Sequence, residues 1–404
     1  MISVDDALSM VLANAPRLPS EDVALADALG RVLASDVASD VAMPPFDRSA
    51  MDGYALRAED LSALPTVLHV VGQVRAGEVP RGTVGPGQAI QIMTGAPVPA
   101  GATAVQQVEK TRGLDGGRRV EIVAPVEAGA NIAPCGSEVR EGDVVLAQGT
   151  VVTPAVTAVL AAVGAARVTV SRRPRVKVLV TGDELVEVTE KPVAGQIRNS
   201  NGYAVMAHAR LAGAEVESLG VGPDEAERIA VAVEGGLDAD VFLVSGGVSE
   251  GLYDFVEPVL LRLGVELLFT KVAIKPGAPL VFGRRGRALV FGLPGNPVSA
   301  QVTFELFVRP ALLRMQGATA VSRPTVEVEI AARVKNRSGR RAHSPASVKW
   351  EAGRLLAHPL RSLGSADIVA HAKANALLVM EADRLHAEAG ERLPAVLLGD
   401  VLSS

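Results

Sequence analysis

Apolar residues near the N-terminus recur at the spacing of a helix. Ser3 is a good N-cap residue, and Asp5 and Asp6 would follow it in the first helical turn. Helical spacing continues through a second set of apolar residues, which comprises Leu25, Ala28, Leu29, Val32 and Leu33. The pattern therefore predicts one or two helices in residues 1–40.

The pattern changes over residues 42–143, where Gly and Pro are frequent. Short runs rich in β-branched residues, such as 67–74 and 88–93, lie between them. Such runs are typical of strands in a small β domain, which we expect to be inserted in the chain.

Helical spacing returns in residues 144–172. Thr153 suits an N-cap, Pro154 the first helical position and Gly164 a helix end, so this segment predicts a helix of about ten residues. We expect residues 1–41 and 144–172 to form one discontinuous helical domain.

Strand-like and helix-like runs alternate in residues 173–320. The strand-like runs are 176–180, 216–219, 241–244, 267–274 and 288–291, and the helix-like runs are 203–211, 225–233 and 255–263. This alternation predicts an α/β domain with a mostly parallel sheet that is covered on both faces. Residues 321–404 contain short strand-like runs and turns, which predict a small C-terminal β-barrel domain. The expected fold class is therefore multidomain, α/β plus β.

Composition agrees with several globular domains. The chain has 404 residues, of which 48% are hydrophobic, and single cores rarely grow beyond about 250–300 residues. Aromatic residues make up 3% and the net charge is −5, which argues against a nucleic-acid partner.

The single cysteine, Cys135, excludes a disulfide within the chain and makes a thiolate metal site unfavourable. Early acidic residues do not suit a signal peptide, and the helix predicted at Pro154 is too short to span a bilayer. We therefore expect a soluble, cytoplasmic protein without a membrane partner.

Three predicted strands of the α/β domain each lead into a turn rich in Gly. These turns are residues 181–184 (TGDE), 245–249 (SGGVS) and 292–297 (GLPGNP). Ligands of open parallel sheets bind beyond the carboxyl ends of the strands, and Gly lets backbone N–H groups approach an anion closely. Asn296 and Pro297 also suit the start of a helix, which attracts phosphate. One such turn alone favours a plain tight turn, whereas three together favour a phosphate site.

Charged residues accompany these turns. Lys271 and Lys275 lie four residues apart on a predicted strand, so their side chains would share one face. Two ammonium groups on one face suit a multiply charged oxyanion. The alternative is that both are solvated surface lysines. Three acidic residues, Asp183, Glu184 and Asp254, follow strand ends. Carboxylates there would bind Mg²⁺ together with substrate phosphates. For each residue alone, helix capping or ion pairing is the alternative.

Six motifs resemble those of the molybdopterin molybdenumtransferase family, which includes the C-terminal domain of gephyrin. They are residues 43–55 (MPPFDRSAMDGYA), 92–99 (IMTGAPVP), 181–185 (TGDEL), 245–249 (SGGVS), 271–277 (KVAIKPG) and 292–299 (GLPGNPVS). The resemblance extends over nearly the whole chain. It implies an elongated, L-shaped protomer of four domains that forms a homodimer.

The resemblance also implies an activity. Family members take adenylylated molybdopterin and molybdate and, with Mg²⁺, place molybdenum on the dithiolene and release AMP. Tungstate remains an alternative oxyanion. The expected protein partners are the adenylyltransferase that supplies the substrate and the apo-enzymes that receive the cofactor.

The family motifs also imply which residues form the site. The resemblance implies that Glu184 and Asp254 act at the metal and phosphate, that Lys271 and Lys275 hold anions, and that Asp52 acts from the other protomer. The substrate-binding residues are expected to be Thr94, Asp183, Asp224, Ser245, Gly246, Gly247, Ser249, Pro294, Gly295, Asn296, Pro297 and Ser365.

Several positions depart from the family pattern. Leu252 stands where the family usually has an acidic residue, Ala278 where it has Lys, and Pro345 where it has Arg. Glu250 is an additional acidic residue, and Glu138 replaces an Asp. These changes motivate a second hypothesis, in which a weakened family member serves as a dimeric scaffold or binding protein for a protein partner. The retained Glu184, Asp254, Lys271 and Lys275 favour the enzyme.

Overall fold

The computed structural model describes residues 1–222, 226–247, 256–361 and 363–403, which divide into two compact units. The first unit comprises Met1–Ala34, Gln148–Thr153 and Val168–Ser404, and the second comprises Ser35–Ala147 and Pro154–Arg167. Both units are therefore discontinuous in sequence. This division differs from the four expected segments, whose boundaries stay a prediction.

A six-stranded sheet forms the centre of the first unit. From one edge to the other, its strands are Glu215–Gly222, Arg175–Thr181, Val241–Ser245, Ala288–Leu293, Val281–Arg285 and Glu266–Phe269. The first four strands are parallel to one another, and each of the last two pairs antiparallel with the strand before it. The expectation of a mostly parallel sheet is confirmed, and Val281–Arg285 is a strand that the hydrophobic pattern did not reveal.

Both faces of this sheet are buried. Val241 and Leu243 belong to one hydrophobic core, whereas Phe242 and Val244 belong to a second core on the opposite face, because successive side chains of a strand alternate. The helices of this unit are Val4–Asn14, Asn201–Leu211, Ala226–Gly236, Val256–Arg262, Pro297–Thr303, Arg309–Gln316 and Ile368–Ala372. None of the helices in the described part of the chain has the length and apolarity needed to cross a membrane.

The C-terminal part of the first unit is a closed barrel of five strands. In order, they are Arg341–Glu351, Arg354–Pro359, Thr325–Ile330, Arg392–Leu397 and Ala376–Met380. The ring closes because Ala376–Met380 pairs with Arg341–Glu351. The predicted C-terminal barrel is therefore confirmed.

Shorter strands complete the first unit. Ile274–Lys275 pairs in parallel with the start of the long barrel strand Arg341–Glu351, so Lys275 is held against the barrel. The remaining pairs are Val334–Lys335 with His386–Ala387, Leu185–Val186 with Ile197–Arg198, Ser20–Ala24 with Arg167–Ser171, and Leu402–Ser403 with the long barrel strand.

The second unit is built on another six-stranded sheet. Its strands, in spatial order, are Ala104–Gln107, Gly53–Leu56, Gln88–Ile92, Thr66–Val74, Arg119–Ile122 and Thr111–Leu114. Two short pairs join Arg48–Ser49 to Ile132–Ala133 and Val37–Ala38 to Val144–Leu146. The helix Pro154–Ala162 begins and ends close to the predicted positions.

The prediction of helices in residues 1–40 is correct for the first helix and wrong for the second. Ser3 caps Val4–Asn14, because its hydroxyl accepts a hydrogen bond from the Asp6 N–H at 3.0 Å. The later apolar set forms the strand Ser20–Ala24 and a single turn, Leu25–Asp27. Leu33 forms a β-bridge with Val170, so pairing with distant residues overrides the local helical spacing.

A buried ionic cluster joins the helices of the first unit to the start of the barrel domain. Glu305 is 5% exposed, and Arg323 donates to its two carboxylate oxygens at 2.8 and 3.1 Å. His208 Nδ1 lies 2.9 Å from the Glu305 Oε1 atom. Burial alone would raise the pKa of Glu305, but the hydrogen bonds from His208 and Arg323 outweigh it and lower the pKa to about 2.

We expect Glu305→Gln to lower the free energy of unfolding by roughly 3 kcal/mol, because it leaves Arg323 facing a neutral partner. The native pKa lies below the ordinary value of 4.5, so this stabilisation is present above pH 4.5 and is lost as the pH falls towards about 2. Chemical denaturation at several pH values measures both effects.

The matched control is Glu266→Gln, which removes an exposed ion pair with Arg284. Its loss should stay below about 1 kcal/mol. Equal losses in the two variants would contradict the role given to Glu305.

Candidate functional site

Three turns meet at the carboxyl edge of the parallel strands. They follow Arg175–Thr181, Val241–Ser245 and Ala288–Leu293, which are neighbours in the sheet. A cavity of about 790 Å³ lies against them. The predicted site residues that line it are Glu184, Ser245, Gly246, Gly247, Gly295, Asn296 and Pro297.

Glycine permits the close approach of two of these turns. Gly246 has a φ of +101°, and a Cβ atom there would lie 2.4 Å from the carbonyl oxygen of Thr181. Gly182 has a φ of +146°, and a Cβ atom there would lie 2.7 Å from the Glu184 Oε2 atom. Side chains would therefore separate the turns or displace the Glu184 carboxylate.

Asn201 joins two of the turns. Its Nδ2 atom donates to the Ser245 Oγ atom at 3.0 Å and to the Gly295 carbonyl oxygen at 2.7 Å. Sequence reasoning missed this residue, although the polar run 199–201 (NSN) at the start of a helix was a visible feature. Asn201 fixes the spacing of the two turns across the cavity.

Thr181 places a further polar atom at this cavity. The residue is 4% exposed, and its Oγ1 atom has no hydrogen-bond partner among the residues that the structure describes. A buried hydroxyl without a protein partner is unfavourable unless water or a ligand hydrogen-bonds to it.

A second cavity of about 680 Å³ adjoins the first and shares Gly295 and Asn296 with it. Of the predicted site residues, Lys275, Pro294 and Ser365 line this cavity in addition to the shared pair. The other cations in its wall come from the C-terminal domain and are Arg333, Lys335 and Arg340. No acidic residue occurs among the described residues that line it, and although Arg333 pairs with Glu388 at 3.0 Å, Lys275, Lys335 and Arg340 keep the wall positive.

The predicted strand 267–274 is wrong in its second half. Glu266–Phe269 is a strand of the α/β sheet, but the chain then leaves this sheet, and Ile274–Lys275 pairs with the barrel instead. Between them, Val272 forms an isolated parallel β-bridge with Ile2, whose N–H donates to the Lys271 carbonyl oxygen and whose carbonyl accepts from the Ala273 N–H. Lys271 and Lys275 therefore do not share one face of a continuous strand as predicted, and Lys271 lines neither cavity.

The other predicted residues of the first unit are placed differently. Asp183 is exposed and follows Gly182 in the turn, but it does not line either cavity. Asp224, Ser249 and Asp254 lie outside the described residues, as do the departures Glu250 and Leu252.

Asp52 and Thr94 lie in the second unit, where they contact each other. The Asp52 Oδ1 atom accepts from the Thr94 N–H at 2.8 Å and from the Thr94 hydroxyl at 3.1 Å. In the same unit, Glu138 pairs with Arg48 at 2.8 Å, so the longer acid at this position is an ion-pair partner.

The described residues supply limited ligands for a metal ion. No group of three or more His, Cys, Asp or Glu residues in the described ranges is arranged to hold one. Mg²⁺ commonly binds through one or two carboxylates together with substrate phosphates. Glu184, which lines the cavity beside the Gly-rich turns, fits that mode of binding, in which the phosphate supplies the remaining oxygens.

Comparison with known proteins gives matches along most of the chain. Residues 2–164 match the MoeA N-terminal region (domains I and II), residues 177–314 match a probable molybdopterin-binding domain, and residues 327–398 match the MoeA C-terminal region (domain IV).

Full-length relatives and structures agree with these matches. The molybdopterin molybdenumtransferase of Bacillus subtilis is 35% identical, and the similarity covers 98% of this chain and 94% of the relative. The molybdopterin molybdenumtransferase 2 of Mycobacterium tuberculosis is 39% identical over 92% of this chain and 93% of the relative. A crystal structure of the molybdopterin biosynthesis MoeA protein of Pyrococcus horikoshii superposes with a TM-score of 0.85 at 32% identity, covering 98% of this chain and 100% of that one.

The fold and the cavity at its strand ends define a multidomain transferase with a molybdopterin-binding type of α/β domain. The chain belongs to the family of molybdopterin molybdenumtransferases, enzymes of molybdenum cofactor biosynthesis. The resemblance inferred from the six sequence motifs is thus confirmed.

We expect Gly246→Ala to disrupt the site, because its new Cβ atom would meet the Thr181 carbonyl oxygen in a φ region unfavourable to Ala. AMP affinity, measured by calorimetry, should fall at least about tenfold. Gly286→Ala is the matched control, since Gly286 also has a positive φ, +61°, but open space around its Cα atom. Unchanged AMP affinity in Gly246→Ala would show that the close approach of the turns is unimportant.

Proposed function

We propose that this chain transfers molybdenum from molybdate to the dithiolene of adenylylated molybdopterin, with Mg²⁺, and releases AMP. The observation that carries this proposal is the pair of adjoining cavities that share Gly295 and Asn296. One cavity presents a carboxylate and Gly-rich turns, and the other presents several cations. A reaction that joins a phosphate-bearing substrate to a small oxyanion needs two such sites side by side.

The first cavity suits the nucleotide and phosphates of the substrate. Gly246 and Gly247 line this cavity without a side chain that would cover it, and Ser245 and Thr181 add hydroxyl groups to the same wall. Groups of this kind bind phosphate oxygens by hydrogen bonds without contributing negative charge. Glu184 is then available to hold a cation against the phosphate.

Bound Mg²⁺ would neutralise the phosphate oxygens and make AMP a better leaving group. Glu184 would hold this ion, with Asp254 as the second proposed ligand. Asn201 keeps the Ser245 and Gly295 turns at a fixed distance, so that the phosphate is oriented towards the neighbouring cavity.

The second cavity suits molybdate. Lys275 is fixed through its backbone pairing with the barrel, and Ser365 lies in the same wall. Lys335 and Arg340 bring positive charge from the barrel domain to this cavity. A dianion is stabilised by several cations in a partly enclosed space, where the effective dielectric constant is lower than in water.

Two departures from the family pattern lie in this wall. Ala278 and Pro345 line the cavity at positions where the family usually has cations. Lys335 and Arg340 keep the wall positive without them. We therefore assign the oxyanion site to this cavity, and molybdate and tungstate both fit its charge.

The proposed assembly is a cytoplasmic homodimer. Asp52 and Thr94 would act at the cavity of the other protomer, and their mutual hydrogen bonds hold the two side chains in one orientation. Lys271 stays a proposed anion-holding residue by its motif, although it lines neither cavity. The adenylyltransferase and the recipient apo-enzymes are the proposed protein partners.

We predict that Glu184→Gln abolishes AMP release and leaves the fold intact, because the amide cannot hold Mg²⁺ in the same way. The assay mixes purified protein with adenylylated molybdopterin, molybdate and Mg²⁺ and measures AMP and the cofactor delivered to an apo-enzyme. Glu187→Gln is the control, since Glu187 is exposed and does not line the cavity.

Two results would contradict this account. Near-normal turnover of Glu184→Gln would show that the metal and phosphate site lies elsewhere. Wild-type protein that releases no AMP above background would favour the scaffold hypothesis over the enzyme.

We predict that Lys275→Ala weakens molybdate affinity about tenfold or more, because it removes a cation from the cavity wall. Competition between molybdate and sulfate in equilibrium dialysis measures this change. Lys349→Ala serves as the control, since Lys349 lies on the barrel but lines neither cavity. Equal affinities of the two variants would remove Lys275 from the oxyanion site.

A further inference from the structure

The cavity at the Gly-rich turns has an unusual balance of charge. Among the described residues that line it, Glu184 and Arg198 are the ionisable ones. The neighbouring cavity holds the cations Lys275, Lys335 and Arg340 in its own wall. Arg198 is therefore the one cation among the described residues that line the first cavity.

Arg198 is held close to Glu184 by backbone pairing. Ile197–Arg198 pairs in parallel with Leu185–Val186, the strand that directly follows Glu184. The Ile197 N–H donates to the Glu184 carbonyl oxygen at 2.8 Å. This pairing fixes the backbone of Arg198 along the cavity wall, beside the backbone of Glu184.

The side chain of Arg198 is oriented but not neutralised. Its Nε atom donates to the Glu190 carbonyl oxygen at 2.9 Å. No carboxylate of the described residues forms an ion pair with its guanidinium group. The two terminal nitrogens thus keep their donors for a ligand, and a planar pair of N–H donors matches the geometry of a phosphate.

We propose that Arg198, placed beside Glu184 in one cavity wall, binds a phosphate group of the adenylylated substrate. This inference rests on the proposed function and names a binding residue that the family motifs do not include. The Glu184 carboxylate repels a nearby phosphate. Mg²⁺ held by Glu184 would offset this repulsion, and the positive charge of Arg198 would offset it further. Arg198 is a substrate-binding residue, so its loss affects substrate affinity more than the turnover rate of the enzyme–substrate complex.

Calorimetric titration with AMP and with adenosine, both in the presence of Mg²⁺, tests this proposal, because adenosine lacks the phosphate. The proteins compared are the wild type, Arg198→Ala, Arg198→Lys and the control Arg285→Ala. Arg285 is exposed at the end of Val281–Arg285 and lines neither cavity. Arg198→Ala should weaken AMP about tenfold, equivalent to about 1.4 kcal/mol, and leave adenosine unchanged.

Arg198→Lys should recover part of the AMP affinity, since it restores the charge without the planar pair of donors. In turnover, Arg198→Ala should raise the KM for adenylylated molybdopterin about tenfold and change kcat by less than about twofold. Unchanged AMP affinity in Arg198→Ala, equal losses for AMP and adenosine, or a wild type that binds no AMP would each overturn the proposal. Wild-type protein that binds AMP through Arg198 but releases none from the substrate would instead overturn the transferase function and leave this binding role in place.

Discussion

The site depends on the direct contact of backbone with backbone at the carboxyl edge of the parallel strands. The Gly246 Cα atom lies so close to the Thr181 carbonyl oxygen that no Cβ atom fits between them. This contact brings the turns after two neighbouring strands together beside the cavity. The Asn201 side chain then ties in the turn that contains Gly295, so three turns form one wall.

Charge is distributed unequally on the cavities that meet at Gly295 and Asn296. Glu184 and Arg198 occupy one wall, whereas the cations of the barrel domain gather with Lys275 in the other. The barrel therefore brings positive charge to the sheet edge, and in the proposed function this charge binds the oxyanion. The pairing of Ile274–Lys275 with the long barrel strand holds Lys275 beside the barrel.

Local patterns predicted the helix capped by Ser3, most strands of the α/β sheet and the Gly-rich turns, because these features depend on neighbouring residues. The same reasoning placed a helix where Leu33 pairs with Val170. It also joined Lys271 and Lys275 on one strand, whereas Val272 bridges to Ile2 and Ile274–Lys275 pairs with the barrel. Those errors arise from partners that are distant in sequence. The barrel cations and Asn201 also escaped prediction, since only the folded chain brings them to the cavities.

A crystal structure with AMP, Mg²⁺ and molybdate bound, with data collected at the molybdenum absorption edge, tests the central claim most directly. The account predicts the AMP phosphate against Gly246, Gly247 and Glu184, and an anomalous molybdenum peak beside Lys275 and Ser365. A molybdenum peak remote from Lys275, or a nucleotide on a surface that lacks the three turns, would contradict the claim that the two cavities form one active site.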